Sequence, residues 1–93
     1  MKEASKKFIG LKDFSSFSAA LNPGTNTMRS IERIEFRDNF PILEIEFESE
    51  SFLRNQIRII SGTLVQIGRH KIDINKLDYI FESKDRTKAG PTL

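Results

Sequence analysis

The sequence predicts an α+β fold in which an antiparallel sheet is packed on one face by two main helices. Apolar and charged residues alternate through PILEIEFESE, an apolar stripe runs from Leu53 to Ile67, and a further apolar cluster follows Asp73. With 93 residues, 38% hydrophobic and 30% charged, the chain has the size of one domain, residues 1–93, built around one core.

In order along the chain, EASKKFIG reads as a short helix with Ala4 and Phe8 on its apolar side, ending at Gly10. In DFSSFSAALNPGTNT, Asp13 is placed to cap a turn of helix holding Phe14 and Phe17, which pack inward, before Asn22, Pro23 and Gly24 turn the chain. From Met28 to Arg37, Ile34 and Phe36 take alternate positions. After Asp38 and Asn39, Leu43, Ile45 and Phe47 alternate with Glu44, Glu46 and Glu48. This is the pattern of an antiparallel hairpin with one apolar and one solvated face. The row of glutamates repels phosphate, so that face is a poor seat for RNA.

In FLRNQIRIISGTLVQIGR, Leu53, Ile57, Ile60, Leu64 and Ile67 fall on one side of a helix, with Gly68 as its stop. Burying each of these side chains contributes roughly 1.5–3 kcal/mol, enough to seat the helix on the hairpin's apolar face. Beyond the basic link RHK, Asp73 caps a second helix whose Leu77, Ile80 and Phe81 share a side, running to about Ser83. The closing KDRTKAGPTL is polar and reads as loop.

The chain has no cysteine, which excludes disulfides, thiol nucleophiles and zinc ribbons and suits a reducing compartment, by default the cytoplasm. Its apolar runs fall short of the roughly 20 residues that span a bilayer, and MKEASKKF carries charges where a signal peptide needs an apolar stretch; no membrane partner is expected. His70, between Arg69 and Lys71, has no companion ligands and reads as a loop residue rather than part of a metal site. Asp13, Asp38, Asp73, Asp78 and Asp85 each have an ordinary explanation as caps, turn residues or solvated positions, and none sits in a nucleophile motif. Neither a serine triad nor a glycine-rich phosphate loop is present.

The net charge is only +2, so attraction for an anionic polymer depends on where the fifteen Lys and Arg cluster. Arg54, Arg58 and Arg69 fall along one side of the central helix, next to its apolar stripe. Either they snorkel at the rim of the core, or they line a cleft and meet phosphate or a carboxylate. Arg58 is the sharper case, because Ile57, Ile59 and Ile60 surround it and an unpaired charge there needs an anionic partner. Lys84, Arg86 and Lys88 alternate along the last segment, either as a solvated tail or, with Arg69 and Lys71, as a basic rim that holds a nucleic acid backbone.

FLRNQIRIISGTLVQIGRHKI followed by KDRTKAGPT resembles the C-terminal region of the TruA family of tRNA pseudouridine synthases, and FIGLKDFSSFSA resembles an earlier Phe-Ile-Gly, Asp-Phe, Phe segment of the same family. The two matches bracket the hairpin in the family's order. The resemblance implies an incomplete half of a pseudouridine synthase fold. The implied parent enzyme uses no cofactor and converts uridine to pseudouridine in the anticodon arm of tRNA. Loss of the family's final strand is expected to open a sheet edge that pairs with another copy of the chain, as a homodimer, or with a neighbouring chain. The family's nucleophile is an aspartate in a Gly-Arg-Thr-Asp motif that precedes this region and is absent here, as is its stacking tyrosine, which Tyr79 is not placed to replace. The family's motif arginine maps onto Arg58, which the resemblance sets facing that aspartate. Beyond AGPT the family continues into a further strand, so the chain is expected to lack its catalytic half and final strand and to be inactive alone. A stand-alone RNA-binding module and a half devoted to dimerisation are the competing expectations.

Overall fold

A computed structural model describes residues 2–19, 24–39 and 41–93. Its three strands, β1 (Gly10–Asp13), β2 (Met28–Asn39) and β3 (Ile42–Ser49), form one antiparallel sheet in the order β1-β2-β3. The helices are α1 (Lys2–Ser5), α2 (Gln56–Gly68) and α3 (Leu77–Ser83), which gives the α+β arrangement expected.

β2 and β3 pair with Phe36 opposite Ile45 and Ile34 opposite Phe47, so the two apolar sets share a face as the alternation requires. One extra residue lies in β2 between Ile31 and Arg33. That bulge shifts the phase of the strand, and Ile31 comes to the same face as Ile34 and Phe36 although it lies an odd three positions before Ile34. Ile31 is fully buried, and Ile34, Phe36 and Phe47 pack partly buried against the core. On the opposite face Arg33 pairs with Glu35 and Glu48, and Arg37 with Glu46, so the acidic row is partly neutralised from within the sheet.

β1 was not expected. The first helix ends earlier, at Ser5, followed by a 3-10 turn over Lys6–Phe8, and Gly10 opens a strand at φ +99. Gly10–Asp13 has no apolar alternation, and Leu11 is 68% exposed; the strand exists because β2 offers it hydrogen-bonding partners from Met28 to Ile31. Phe14, not Asp13, is the N-cap of the turn at Ser15–Phe17 and has no side-chain cap; Asp13, one residue earlier, accepts the Ser15 N–H at 3.0 Å and the Thr27 hydroxyl at 2.6 Å. Phe14 and Phe17 are buried, and with Phe8 and Phe81 they form an aromatic cluster with centroids 4.9–6.3 Å apart. Asn22 and Pro23, read as part of a turn, lie outside the described residues.

α2 starts at Gln56, three residues later than the apolar stripe suggests. Asn55 adopts the left-handed conformation, φ 58, which asparagine tolerates better than most residues, and Gln56 Oε1 accepts the Leu53 N–H at 2.8 Å. Leu53 is buried even so. The core-facing side of α2 holds Ile59 with Ile60, Leu64 and Ile67, while Ile57, expected in the stripe, is only partly buried. Ser61, Gly62 and Thr63 are buried as well, because a second layer covers them.

That layer is the closing segment. Gly90 donates its N–H to Thr63 Oγ1 at 2.9 Å, and Leu93 donates to the Arg58 carbonyl at 3.2 Å. A Cβ on Gly62 would stand 1.8 Å from the Pro91 oxygen, and one on Gly90 would stand 2.7 Å from Thr63 Cα. Only hydrogen at both positions allows this approach. The segment read as polar loop is therefore packed along the helix. Asp73 caps the following turn through the Asn75 N–H at 2.9 Å, and α3 buries Leu77 and Ile80, as the sequence indicates.

Candidate functional site

Arg58 is the one expected site arginine inside an α-helix; Arg86 opens a 3-10 turn, Arg86–Lys88. It lies in the first turn of α2, on the side where the closing segment docks, and its Nε donates to the main-chain oxygen of Leu93 at 2.8 Å. The side chain is exposed. The isoleucines beside it in sequence therefore do not desolvate it, and the cost expected of an unpaired charge at that position does not arise: Ile59 and Ile60 turn inward while Arg58 turns out. Its two terminal amino groups have no protein partner among the described residues. The guanidinium is thus held by one nitrogen and presents the other two, the edge with which arginine takes a carboxylate or a phosphate in bidentate fashion.

Arg54 does not share a helical edge with Arg58. Arg54 stands in the turn before α2, where its carbonyl accepts the Ala19 N–H at 3.0 Å, and Arg69 is the residue that ends the helix; both are exposed. The spacing arithmetic assumed a helix from Leu53 to Arg69, and the left-handed Asn55 breaks it at the start.

Lys71 and Lys88 come together from distant positions to line one concavity with Lys76 and Tyr79. Lys84 ends α3 in a left-handed conformation and places its Nζ 3.6 Å from Asp13 Oδ2. Arg86 lies against the closing segment, donating to the Gly90 carbonyl at 2.8 Å and to Thr92 Oγ1 at 3.2 Å. Arg58 and Arg86 between them hold both ends of Gly90–Leu93. Gly62, Gly90 and Thr63 were missed as parts of this arrangement. The run Ser61-Gly62-Thr63 in the middle of an otherwise bulky helix was the available signal, since small residues there admit another segment of the chain.

Burial pushes the Asp13 carboxyl up, but the Thr27 hydroxyl, the Ser15 N–H and Lys84 together outweigh it, and its pKa lies below the ordinary 3.8. Asp85 is held down by the Thr87 side chain and N–H, which it accepts at 2.7 and 2.9 Å. Both aspartates are committed to turns and cations already described, and neither is a free nucleophile. Among the described residues no group of three His, Cys, Asp or Glu side chains is arranged to hold a metal, and no helix is long and apolar enough to cross a membrane.

The sequence model of a family described as tRNA pseudouridine synthase matches residues 4–93. The chain is 42% identical over 92 residues to a tRNA pseudouridine synthase A of Thermoanaerobacter sp. (strain X514), covering 99% of the chain and 38% of that relative. It is 37% identical over 92 residues to one from Bacillus subtilis (strain 168), again 99% of the chain and 37% of the relative. With one from Pelagibacter ubique (strain HTCC1062) the identity is 33% over 91 residues, 98% of the chain and 37% of the relative. The chain thus spans well under half the length of the curated relatives it matches.

Proposed function

The chain belongs to the tRNA pseudouridine synthase family, and from that premise we propose that it is the C-terminal part of an enzyme that isomerises uridine to pseudouridine in the anticodon arm of tRNA. The nucleophilic aspartate comes from polypeptide outside residues 1–93. In this reaction the N1–C1′ glycosidic bond breaks, the uracil turns, and a C5–C1′ bond forms as the C5 proton leaves and N1 takes one up. No redox change or cofactor enters.

Arg58 is the active-site support. The observation that carries this reading is its tethering through Nε to Leu93 with both terminal amino groups left without a protein partner. A carboxylate brought against that edge is kept ionised by the adjacent fixed charge, as a nucleophile requires. Arg54, Arg69, Lys71, Lys84, Arg86 and Lys88 are the proposed phosphate contacts, with Lys84 and Arg86 exchanging or sharing their present partners when RNA binds. The cytoplasm is the proposed location, and a homodimer the proposed assembly.

The test is a pseudouridine assay on tRNA transcripts. The chain alone should form none; joined to the preceding portion of the Bacillus subtilis relative it should form pseudouridine in the anticodon arm. Product made by residues 1–93 alone would overturn the proposal.

A further inference from the structure

The concavity of about 330 Å³ that joins Lys71 to Lys88 is lined by Lys71, Ile72, Lys76, Tyr79, Ile80 and Lys88, three cations and no carboxylate. The lysines are exposed, and none forms an ion pair among the described residues. The nearby acids are engaged elsewhere. Asp78 pairs with Lys7 at 3.6 Å, Asp73 caps Asn75, Asp85 accepts from Thr87 while also feeling Lys88, and Glu82 lines a different concavity with Lys12 and Lys84.

Tyr79 is 57% exposed, unlike Leu77 and Ile80 beside it on α3, which are buried. Ile72 and Ile80 give the concavity an apolar floor. A flat ring left in water among three ammonium groups without a close ion pair matches one ligand chemistry closely: a strand whose phosphates meet the lysines while an unpaired base lies on the ring. An acidic peptide would satisfy the lysines and leave the ring unused. A duplex would offer phosphates, but its bases are already stacked.

We propose that this concavity is a binding site for an unpaired nucleotide of single-stranded RNA, with the base stacked on Tyr79 and the flanking phosphates held by Lys71, Lys76 and Lys88. The choice of RNA rests on the synthase reading above; the site itself, including Lys76 and Tyr79, is additional to the contacts that reading names.

Tyr79 is the only tyrosine and the chain has no tryptophan, so its intrinsic emission reports this position alone. Titration of the full chain with a short oligouridylate at low salt should quench that emission saturably, and the midpoint should weaken steeply as salt rises. Lys71→Glu with Lys76→Glu and Lys88→Glu should weaken the midpoint at least about tenfold. In anisotropy with a fluorescein-labelled oligouridylate, Tyr79→Ala should weaken binding about tenfold to a hundredfold, while Tyr79→Phe stays within about threefold. Inorganic polyphosphate should displace the RNA without quenching. All these positions are exposed, so a circular dichroism spectrum matching the wild type is expected for each variant.

Absence of saturable quenching, or quenching that survives the triple charge reversal, overturns the site. So does polyglutamate binding equal to the oligouridylate's with Tyr79→Ala indifferent to both. If tRNA binds wild type and Tyr79→Ala equally, this site falls and the synthase reading stands. If the joined enzyme forms no pseudouridine while Tyr79 is quenched as described, the synthase reading falls and this site stands as a single-strand contact.

Discussion

Gly62 and Gly90 meet where the closing segment crosses α2, and the crossing fixes the tether on Arg58. Replacing Gly62 with alanine gains about 1 kcal/mol of helix propensity, but the new methyl would overlap the Pro91 main-chain oxygen at 1.8 Å, a clash no rotamer relieves. Gly62→Ala should therefore lower stability by about 1–2 kcal/mol net in urea melts. It should also speed hydrogen exchange at the Gly90 amide, which now donates to Thr63. Unchanged protection at that amide would show that the segment does not depend on the glycine.

Asp13 supplies a second residue-level expectation. Its folded-state pKa is depressed below the ordinary 3.8, so its contribution to stability is complete above the unfolded value and is lost as pH falls through the folded one. Wild type should exceed Asp13→Asn in stability at neutral pH, and the gap should close on acidification from about pH 5 downward. A gap independent of pH would mean that the Thr27 and Ser15 bonds are not charge-assisted.

At the scale of elements, α2 shows what the period of a sequence can and cannot convey. The stripe located the helix and its partner face, since Ile60, Leu64 and Ile67 are buried where the spacing put them. It erred at the start of the helix because Leu53 is buried whether or not it is helical, and burial is all that a stripe records. Ile60→Ala should cost about 2–5 kcal/mol and Ile57→Ala about 1 kcal/mol, the reverse of equal weights along the stripe. Equal losses in urea denaturation would restore the original stripe. The hairpin was legible for a related reason: β2 and β3 alternate with a period of two, and the acidic face is countered by Arg33 and Arg37 from the neighbouring strand. β1 was not legible, because its four residues are held by main-chain bonds to β2 that leave no mark on side-chain pattern.

The molecule measures 42 × 27 × 20 Å, and β2 alone, at about 3.3 Å per residue, accounts for roughly 40 Å of its length. Toward the hairpin's tip, Lys2 of α1 lines a concavity with Phe36, Asp38 and Leu43. There Ile42 and Leu43 are 60% and 43% exposed, β1 covers β2 only as far as Ile31, and β3 has no neighbour on its outer side among the described strands. Open strand edges with apolar side chains favour pairing with another chain. Sedimentation at rising concentration should show an increasing mass, reduced by Leu43→Lys; a constant monomer mass would contradict a homodimer built on this edge.

At the same scale, the function was legible only through resemblance. The residues alone marked Arg58 as a charge in search of a partner. The structure locates that charge at the surface rather than in the core, tied through one nitrogen to a segment that had read as loop. The basic rim resolved into separate places for the same reason: spacing along a chain says nothing about a tail folding back on a helix.

The measurement that bears most directly on the account is the effect of Arg58→Ala in the joined enzyme, read as the rate of pseudouridine formation per enzyme at saturating tRNA beside tRNA affinity. A fixed charge that acts on the nucleophile should cost about a hundredfold or more in kcat and leave affinity within about threefold. Full turnover by Arg58→Ala, or a loss confined to tRNA affinity, would show that the guanidinium serves the RNA or the fold and not the attacking carboxylate.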